Sequence, residues 1–327
     1  MGMTILRDGP YLRAIGWLCG QDHAARVATT RTWDQLANPV DFTDDGGYRL
    51  RADTEAGVPA SPCAAVMQGS GVARARSAAK STVYAALLGR RLLDTVAPRD
   101  GYHGDHVGVA VASGSTITPI AWDFETTGLR KGWRKTDTLL LPSSIPSAIA
   151  TQVSAALDTH AAALAFQDGA LGVCAAFEYA HLAFAHRRAD YFLVMGADEV
   201  SQIQGDALAA LGDTRPVLNG ASGLVLGRTP HGDQDWQLRL CAHVDRNAGD
   251  VGVAGDVGAM LPGDWPLAVS RDIGIKDNPT LFTAPLLAYA LHDLLRHAGR
   301  KAVLTCRLPG RGAYVLGFSR RKSNDDD

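Results

Sequence analysis

Residues 161–199 read AAALAFQDGALGVCAAFEYAHLAFAHRRADYFLVMGADE, and this stretch decides the fold. Ala161–Phe166 is a short apolar run, followed by the turn Gln167-Asp168-Gly169. Ala170–His186 then contains a single carboxylate, Glu178. A helix apolar nearly all round must be buried on most sides. Arg187-Arg188 places cations at its C-terminal, negative pole. Tyr191–Met195 (YFLVM) has the character of a buried strand. Strand, buried helix and strand at this length predict a right-handed βαβ crossover in a parallel sheet. The tip at 167–170 therefore sits where a strand ends and a helix begins, the position at which α/β sheets place ligands and nucleophiles.

Working outward, Tyr11–Leu18 is a candidate opening strand, while residues 20–72 carry the Gly, Asp, Pro and Thr of loops and short hairpins. Val83, Leu87, Leu88 and Leu92 recur at helical spacing within 73–96, and Pro98 and Gly101 stop that helix. His106–Ala112 is a buried-type strand ending at Ser113-Gly114-Ser115; a loop follows, then a helix over Ser147–Leu157. In the second half, Gly223–Leu226 and Leu238–Val244 read as a hairpin joined by a polar turn around Pro230–Asp235. Leu267–Ser270 is a further short strand, Leu281–Leu295 a helix, and Ala302–Cys306 and Ala313–Phe318 close the sheet. No clean linker is present. The expected organisation is two intimately packed halves, 1–210 and 211–319, followed by a polar tail, 320–327, expected to be disordered.

Composition narrows the function. With 327 residues and 46% hydrophobic content, a large core is available, which excludes a disordered chain. Lys+Arg 32 against Asp+Glu 34 leaves a net charge of -2, so no basic nucleic-acid footprint exists. No apolar run reaches membrane-spanning length and Met1–Thr4 lacks a signal-peptide pattern, so a soluble, cytoplasmic protein without membrane partners is expected. The five cysteines, Cys19, Cys63, Cys174, Cys241 and Cys306, lie far apart with no zinc-type spacing. Neither a metal nor a cofactor is expected.

The crossover resembles the nucleophile segment of the β-ketoacyl synthases of the thiolase superfamily, in which a strand, a turn of the kind T-A-C-S-S, a long small-residue helix and a strand ending in G-G-A-E or G-A-D follow one another. Here the last element is Met195-Gly196-Ala197-Asp198-Glu199. Four further segments agree in order: HVGVAVASGS (106–115), LLLPSSIPSAIATQVSAAL (139–157), LNGASGLVLGR (218–228) and PGRGAYVLGF (309–318). The resemblance implies a thiolase-like layered αβαβα fold of two pseudo-repeated halves. Counting back from Gly196-Ala197-Asp198 puts the family's cysteine on Ala170, to within about one position. Neither Gly169 nor Leu171 supplies the thiolate that condensation needs. The two family histidines are also absent from Leu267–Gly274 and from Lys276–Thr283. The resemblance is therefore to a non-condensing, chain-length-factor subunit. Such a subunit pairs with an active ketosynthase, meets an acyl carrier protein and shapes the acyl tunnel of type II polyketide or fatty-acid-like synthesis. Residues 161–186 would line the interface, with Gln167, Asp168, Gly169, Ala170 and Leu171 at the vestigial site. Chain-length factors commonly carry Gln at the cysteine position; Gln167 lies three residues early for that match.

Each candidate has a plainer reading. Cys174 lies a turn deeper in the helix, about 6 Å from the tip at 1.5 Å per residue, and reads as a core thiol before a nucleophile. Asp168 reads as a helix cap before a general base. His181 and His186 read as packing or helix-end contacts. Arg130, Lys131, Arg134 and Lys135 around Trp133 form a solvated basic face that also suits an acidic carrier protein. Two other classes stay open: an acyltransferase or hydrolase of this fold using Cys174 or Asp168, and a pure scaffold.

Overall fold

Strands apolar at every position need cover on both faces, and the computed structural model supplies it with helices on either side of one long mixed sheet. It describes residues 2–6, 9–18, 26–29, 32, 35–38, 40–42, 48–50, 64–96, 103–116, 118–138, 140–210, 220–231, 235–244, 270–274, 284–308 and 312–320. The strands are β1 (Gly2–Ile5), β2 (Tyr11–Leu18), β3 (Arg26–Thr29), β4 (Val40–Phe42), β5 (Tyr48–Leu50), β6 (Val107–Ala112), β7 (Ala163–Phe166), β8 (Tyr191–Asp198), β9 (Gly220–Gly227), β10 (Trp236–Val244), β11 (Ser270–Gly274), β12 (Lys301–Leu308) and β13 (Gly312–Arg320). The helices are α1 (Ala64–Ser70), α2 (Lys80–Val96), α3 (Thr118–Lys131), α4 (Ala148–Leu157), α5 (Gly169–Ala185), α6 (Gln202–Ala210) and α7 (Leu286–His297).

The sheet order is β11-β12-β13-β10-β2-β9-β8-β6-β7, with β1 beside β10, β3 beside β2, and β4–β5 as a separate antiparallel pair. β6 runs parallel to both β7 and β8, so the crossover through α5 steps over β6. β11 and β12 form a second parallel pair. The two parts of the sheet meet where Leu12 pairs with Trp236 and Tyr11 with Gln237.

Alternation along the strands sorts their side chains into layers. Val107, Val109 and Val111 of β6, with Leu193, Met195 and Ala197 of β8, pack against α2 and α4. Ala110 and Ala112, with Phe192 and Val194, face the opposite way, onto α5 and α7. The far side of α5 meets the second part of the sheet, where Phe177 packs edge-on against Phe318 with ring centroids 6.0 Å apart. α5 is thus enclosed between two sheet faces, as its nearly uniform apolarity requires. It ends in a Schellman motif: Arg187, at φ 53°, donates its N–H to Phe184 O at 3.0 Å, and Arg188 donates to Ala183 O at 2.8 Å. On the other face of the second part, Leu240, Ala242, Val303 and Val315 form a separate buried cluster.

Three expectations need correction. β9 and β10 do not form a hairpin, because β2 lies between them. Arg13 of β2 accompanies this order: its buried guanidinium meets Asp235 at 3.1 Å and donates to Thr229 O at 3.4 Å, holding both residues to β2. The loop expected after Ser115 contains α3, which its Pro119, Thr126, Thr127 and Gly128 conceal. Arg320, assigned to the tail, is the last residue of β13; its N–H donates to Arg300 O at 2.8 Å and its guanidinium lies 4.8 Å from the Trp236 ring centroid. Pro98, Gly101 and residues 321–327 lie outside the described residues.

Candidate functional site

The carboxyl ends of the parallel strands β6, β7 and β8 converge on the start of α5. Ser113, just after β6, donates its N–H to Phe166 O at 2.9 Å, and its own carbonyl accepts the N–H of Gly169 at 3.2 Å. Gly169, the first residue of α5, has φ 53°, a conformation that costs an L-residue roughly 1–2 kcal/mol. A strand turning this sharply into a helix has the form of a nucleophile elbow. The apex is Gly169, one position before Ala170, and Gly169, Ala170 and Leu171 are all buried. Gln167 and Asp168 are exposed at the tip.

Asp168 does not cap the helix through its side chain, contrary to the plainer reading of the sequence. Its φ of −104° and ψ of 29° depart from the extended backbone that a capping side chain needs. The first turn is closed by its carbonyl instead, which accepts from Leu171 at 3.1 Å and Gly172 at 3.4 Å.

Cys174 is fully buried in the central core, and burial, with a hydrogen bond to the neighbouring Cys306, pushes its thiol well above the usual range. The same cause raises Cys241, where the nearby Cys174 and Glu178 add to it. Tyr314 is also raised by burial and by Glu178, and stacks on His243 with ring centroids 4.6 Å apart. His181 and His186 sit at the C-terminal end of α5, away from the elbow; the His186 N–H donates to Leu182 O at 3.0 Å. Residues 267–269 and 275–283, where the family histidines were sought, lie outside the described residues. Among the described residues, no group of three metal-ligating side chains gathers. No helix among them is long and apolar enough to cross a membrane.

The residue that organises this end of the sheet is Asp198, which the sequence reading treated only as part of a motif. Its buried Oδ1 accepts from Gly114 N at 2.7 Å, Ser115 N at 2.8 Å, Ser113 Oγ at 3.1 Å and Ser115 Oγ at 3.1 Å. Its Oδ2 accepts from Ala284 N at 2.6 Å. Burial pushes this carboxyl up from its ordinary value, and the hydrogen bonds from Ala284, Ser115, Gly114 and Ser113 oppose that shift. Gly196, two residues earlier on the same strand, is what lets the 284–285 backbone approach: a Cβ there would stand 2.3 Å from Ala284 O. Ser222 of β9, paired with Gly196, donates to Pro285 O at 2.9 Å. The Gly-Ala-Asp run and Ser222 therefore clamp the entry to α7. Next along the chain, burial raises Glu199, opposed by Lys80, whose backbone N–H it accepts at 2.8 Å. A buried acid satisfied on both oxygens by its own fold is structural, and Asp198 makes no claim to chemistry. The signal that could have found it was the pairing of Gly196 with an acid two residues on, both facing one side of a strand.

No protein-family model matches the chain, and no curated protein matches it. Solved structures do. The chain is similar to the ishigamide ketosynthase/chain length factor at 14% identity and a TM-score of 0.61, covering 96% of this chain and 100% of that one. A type II polyketide synthase acyl-carrier protein in complex with its ketosynthase bound to the hexaketide matches at 13% identity and a TM-score of 0.63, with 96% and 100% covered. A ketosynthase in complex with its chain length factor from Xenorhabdus doucetiae matches at 13% identity and 0.57, with 96% and 98% covered. At these identities the likeness establishes the fold, which is the layered α/β thiolase-type fold of ketosynthases and chain length factors.

Proposed function

We propose that this chain is a non-condensing ketosynthase-like subunit of the chain-length-factor type. It pairs with an active ketosynthase, receives intermediates presented by an acyl carrier protein and shapes the acyl tunnel in type II polyketide or fatty-acid-like synthesis. The observation that supports this reading is the elbow: Gly169 and Ala170 stand at the turn from β7 into α5, where the resemblance puts the family's cysteine, and neither has a side chain able to hold a thioester. Cys174, about a turn further along α5, is sealed in the core, where burial pushes its thiol well above the usual range. A core thiol there argues against the acyltransferase reading.

Pairing through residues 161–186 is supported by β7. It ends the strand order, and its sequence Ala-Leu-Ala-Phe has no charge or proline to discourage a further strand. Leu182 of α5 adds an exposed apolar side chain. The basic residues Arg130, Lys131, Arg134 and Lys135 are all exposed, which suits an acidic carrier domain.

The test is to incubate the purified chain with acyl and malonyl carrier thioesters and follow acyl-protein mass and product. Neither an acyl adduct nor a condensation product is expected. Condensation by the chain alone overturns the proposal.

A further inference from the structure

Cys174 of α5, Cys306 of β12 and Cys241 of β10 lie in one buried layer, between α5 and the second part of the sheet. Alternation along the strands puts them there. Ala302, Leu304 and Cys306 face α5, while Val303 faces the other side. Cys241 likewise faces α5, and Leu240 and Ala242 on either side of it face away. Cys174 and Cys306 are both 0% exposed, and their thiols are hydrogen-bonded to each other. A buried thiol on its own is a small hydrophobe. Two in contact, carried by elements from opposite halves of the chain, are also a dithiol.

We propose that Cys174 and Cys306 join as an intramolecular disulfide when the chain folds in an oxidising milieu, stapling α5 to β12. The oxidant is a small disulfide of the glutathione type. The Cys174 thiolate attacks it, forming a mixed disulfide and releasing one small-molecule thiolate. The Cys306 thiolate then attacks the Cys174 sulfur, the bond to the small molecule breaks, and a second small thiolate leaves. The protein gives up two protons and two electrons, and the oxidant becomes two thiols. Both steps need a thiolate, and burial in the folded core pushes the Cys174 thiol well above its usual range, so exchange begins in the open chain. Docking of α5 drives the second step, because a core this closed has no room for a mixed disulfide. Cys306, not Cys241, is the partner. Cys306 hydrogen-bonds Cys174, whereas Glu178, one turn further along α5, works against a thiolate at Cys241. The same burial then shields the finished bond from reductant. The link lies away from the elbow and does not depend on whether the chain condenses.

The experiment refolds the reduced full-length chain in a buffer of reduced and oxidised glutathione, followed by acid quench, alkylation and peptide mapping by mass spectrometry. The expected result is a natively folded chain, lighter by two hydrogens, whose dominant cross-link joins the peptides of Cys174 and Cys306. The cross-linked chain should unfold at a higher urea midpoint than the reduced one, since the link closes a long loop in the unfolded state. Dithiothreitol should cleave the link roughly a hundredfold more slowly in the folded chain than in urea. Cys306→Ala should abolish the cross-link and leave Cys174 as a free thiol in the folded product. Both thiols free in a folded chain, under a buffer that glutathionylates the same chain held in urea, overturns the proposal. So does a dominant link from Cys174 to Cys241, Cys19 or Cys63, or a 174–306 link that forms only with loss of the native circular dichroism.

Discussion

Replacing Gly196 by alanine tests the clamp at the end of β8. The added methyl would stand 2.3 Å from Ala284 O, 2.4 Å from Ala284 C and 2.9 Å from Pro285 N, all backbone atoms with no rotamer in which to escape. Relief requires the 284–285 segment to retreat by about 1 Å, toward ordinary contact distance. That movement pulls Ala284 N from Asp198 Oδ2, now at 2.6 Å, and Pro285 O from Ser222 Oγ, now at 2.9 Å. Each buried group left without its partner costs about 1–3 kcal/mol. The expected loss is therefore about 3–5 kcal/mol, a large share of a typical stability of about 5–15 kcal/mol. Urea unfolding reads it as a lower midpoint at unchanged slope. Gly205→Ala in α6 is the control, because nothing lies within 4 Å of the added carbon and a helical glycine gains about 0.5–1 kcal/mol on that change. If Gly196→Ala cost less than about 1 kcal/mol, the close approach would not be what holds α7 to the sheet.

The remaining predictions concern protons and thiols. Asp198 is raised above its ordinary value of 3.8, so the folded chain holds this proton at pH values where the unfolded chain has lost it; its contribution to stability is full below 3.8 and fades as pH rises through the folded value. Asp198→Asn does not titrate, so the stability of the native chain relative to this variant should fall as pH rises from 3.8, and a difference that grows with pH would contradict the sign. Cys174 should resist iodoacetamide in the folded protein and react on unfolding, because burial raises its thiol and closes it off. Labelling of Cys174 at the same rate in the folded and the unfolded protein would undo its assignment as a core thiol.

Much of the architecture was legible because burial writes itself into sequence. β2 begins and ends at Tyr11 and Leu18 as expected, and α5 departs by one residue at each end from Ala170–His186, since a central helix and a two-face strand have no polar side to blur them. α3 escaped for the opposite reason, being nearly unburied and poor in helix formers. The supposed β9–β10 hairpin failed because sequence proximity favours local pairing, whereas β2 lies between the two strands and its Arg13 meets Asp235, a pair 222 positions apart. At the site, counting from Gly196-Ala197-Asp198 leads to the turn between β7 and α5. Only backbone torsion distinguishes Gly169 from Ala170, and torsion at a single glycine has no sequence signature. Asp168 misled because a carboxylate before a helix predicts a cap only when its backbone is extended.

The elbow and the clamp are held by the same residue. Ser113 accepts the Gly169 N–H through its carbonyl and donates through its hydroxyl to Asp198, which in turn accepts from Ala284. The tip of α5 is thus fixed by groups belonging to β6, β8 and the entry to α7, none of which depends on what side chain the apex carries. A nucleophile at φ 53° would be carried at roughly 1–2 kcal/mol of backbone strain, which a condensing enzyme recovers as reactivity. A chain that condenses nothing recovers nothing from it. On the reading proposed here, glycine at this apex is what remains when the chemistry is withdrawn: it removes the strain and leaves the hydrogen-bonded frame, and therefore the geometry offered to a partner, unchanged.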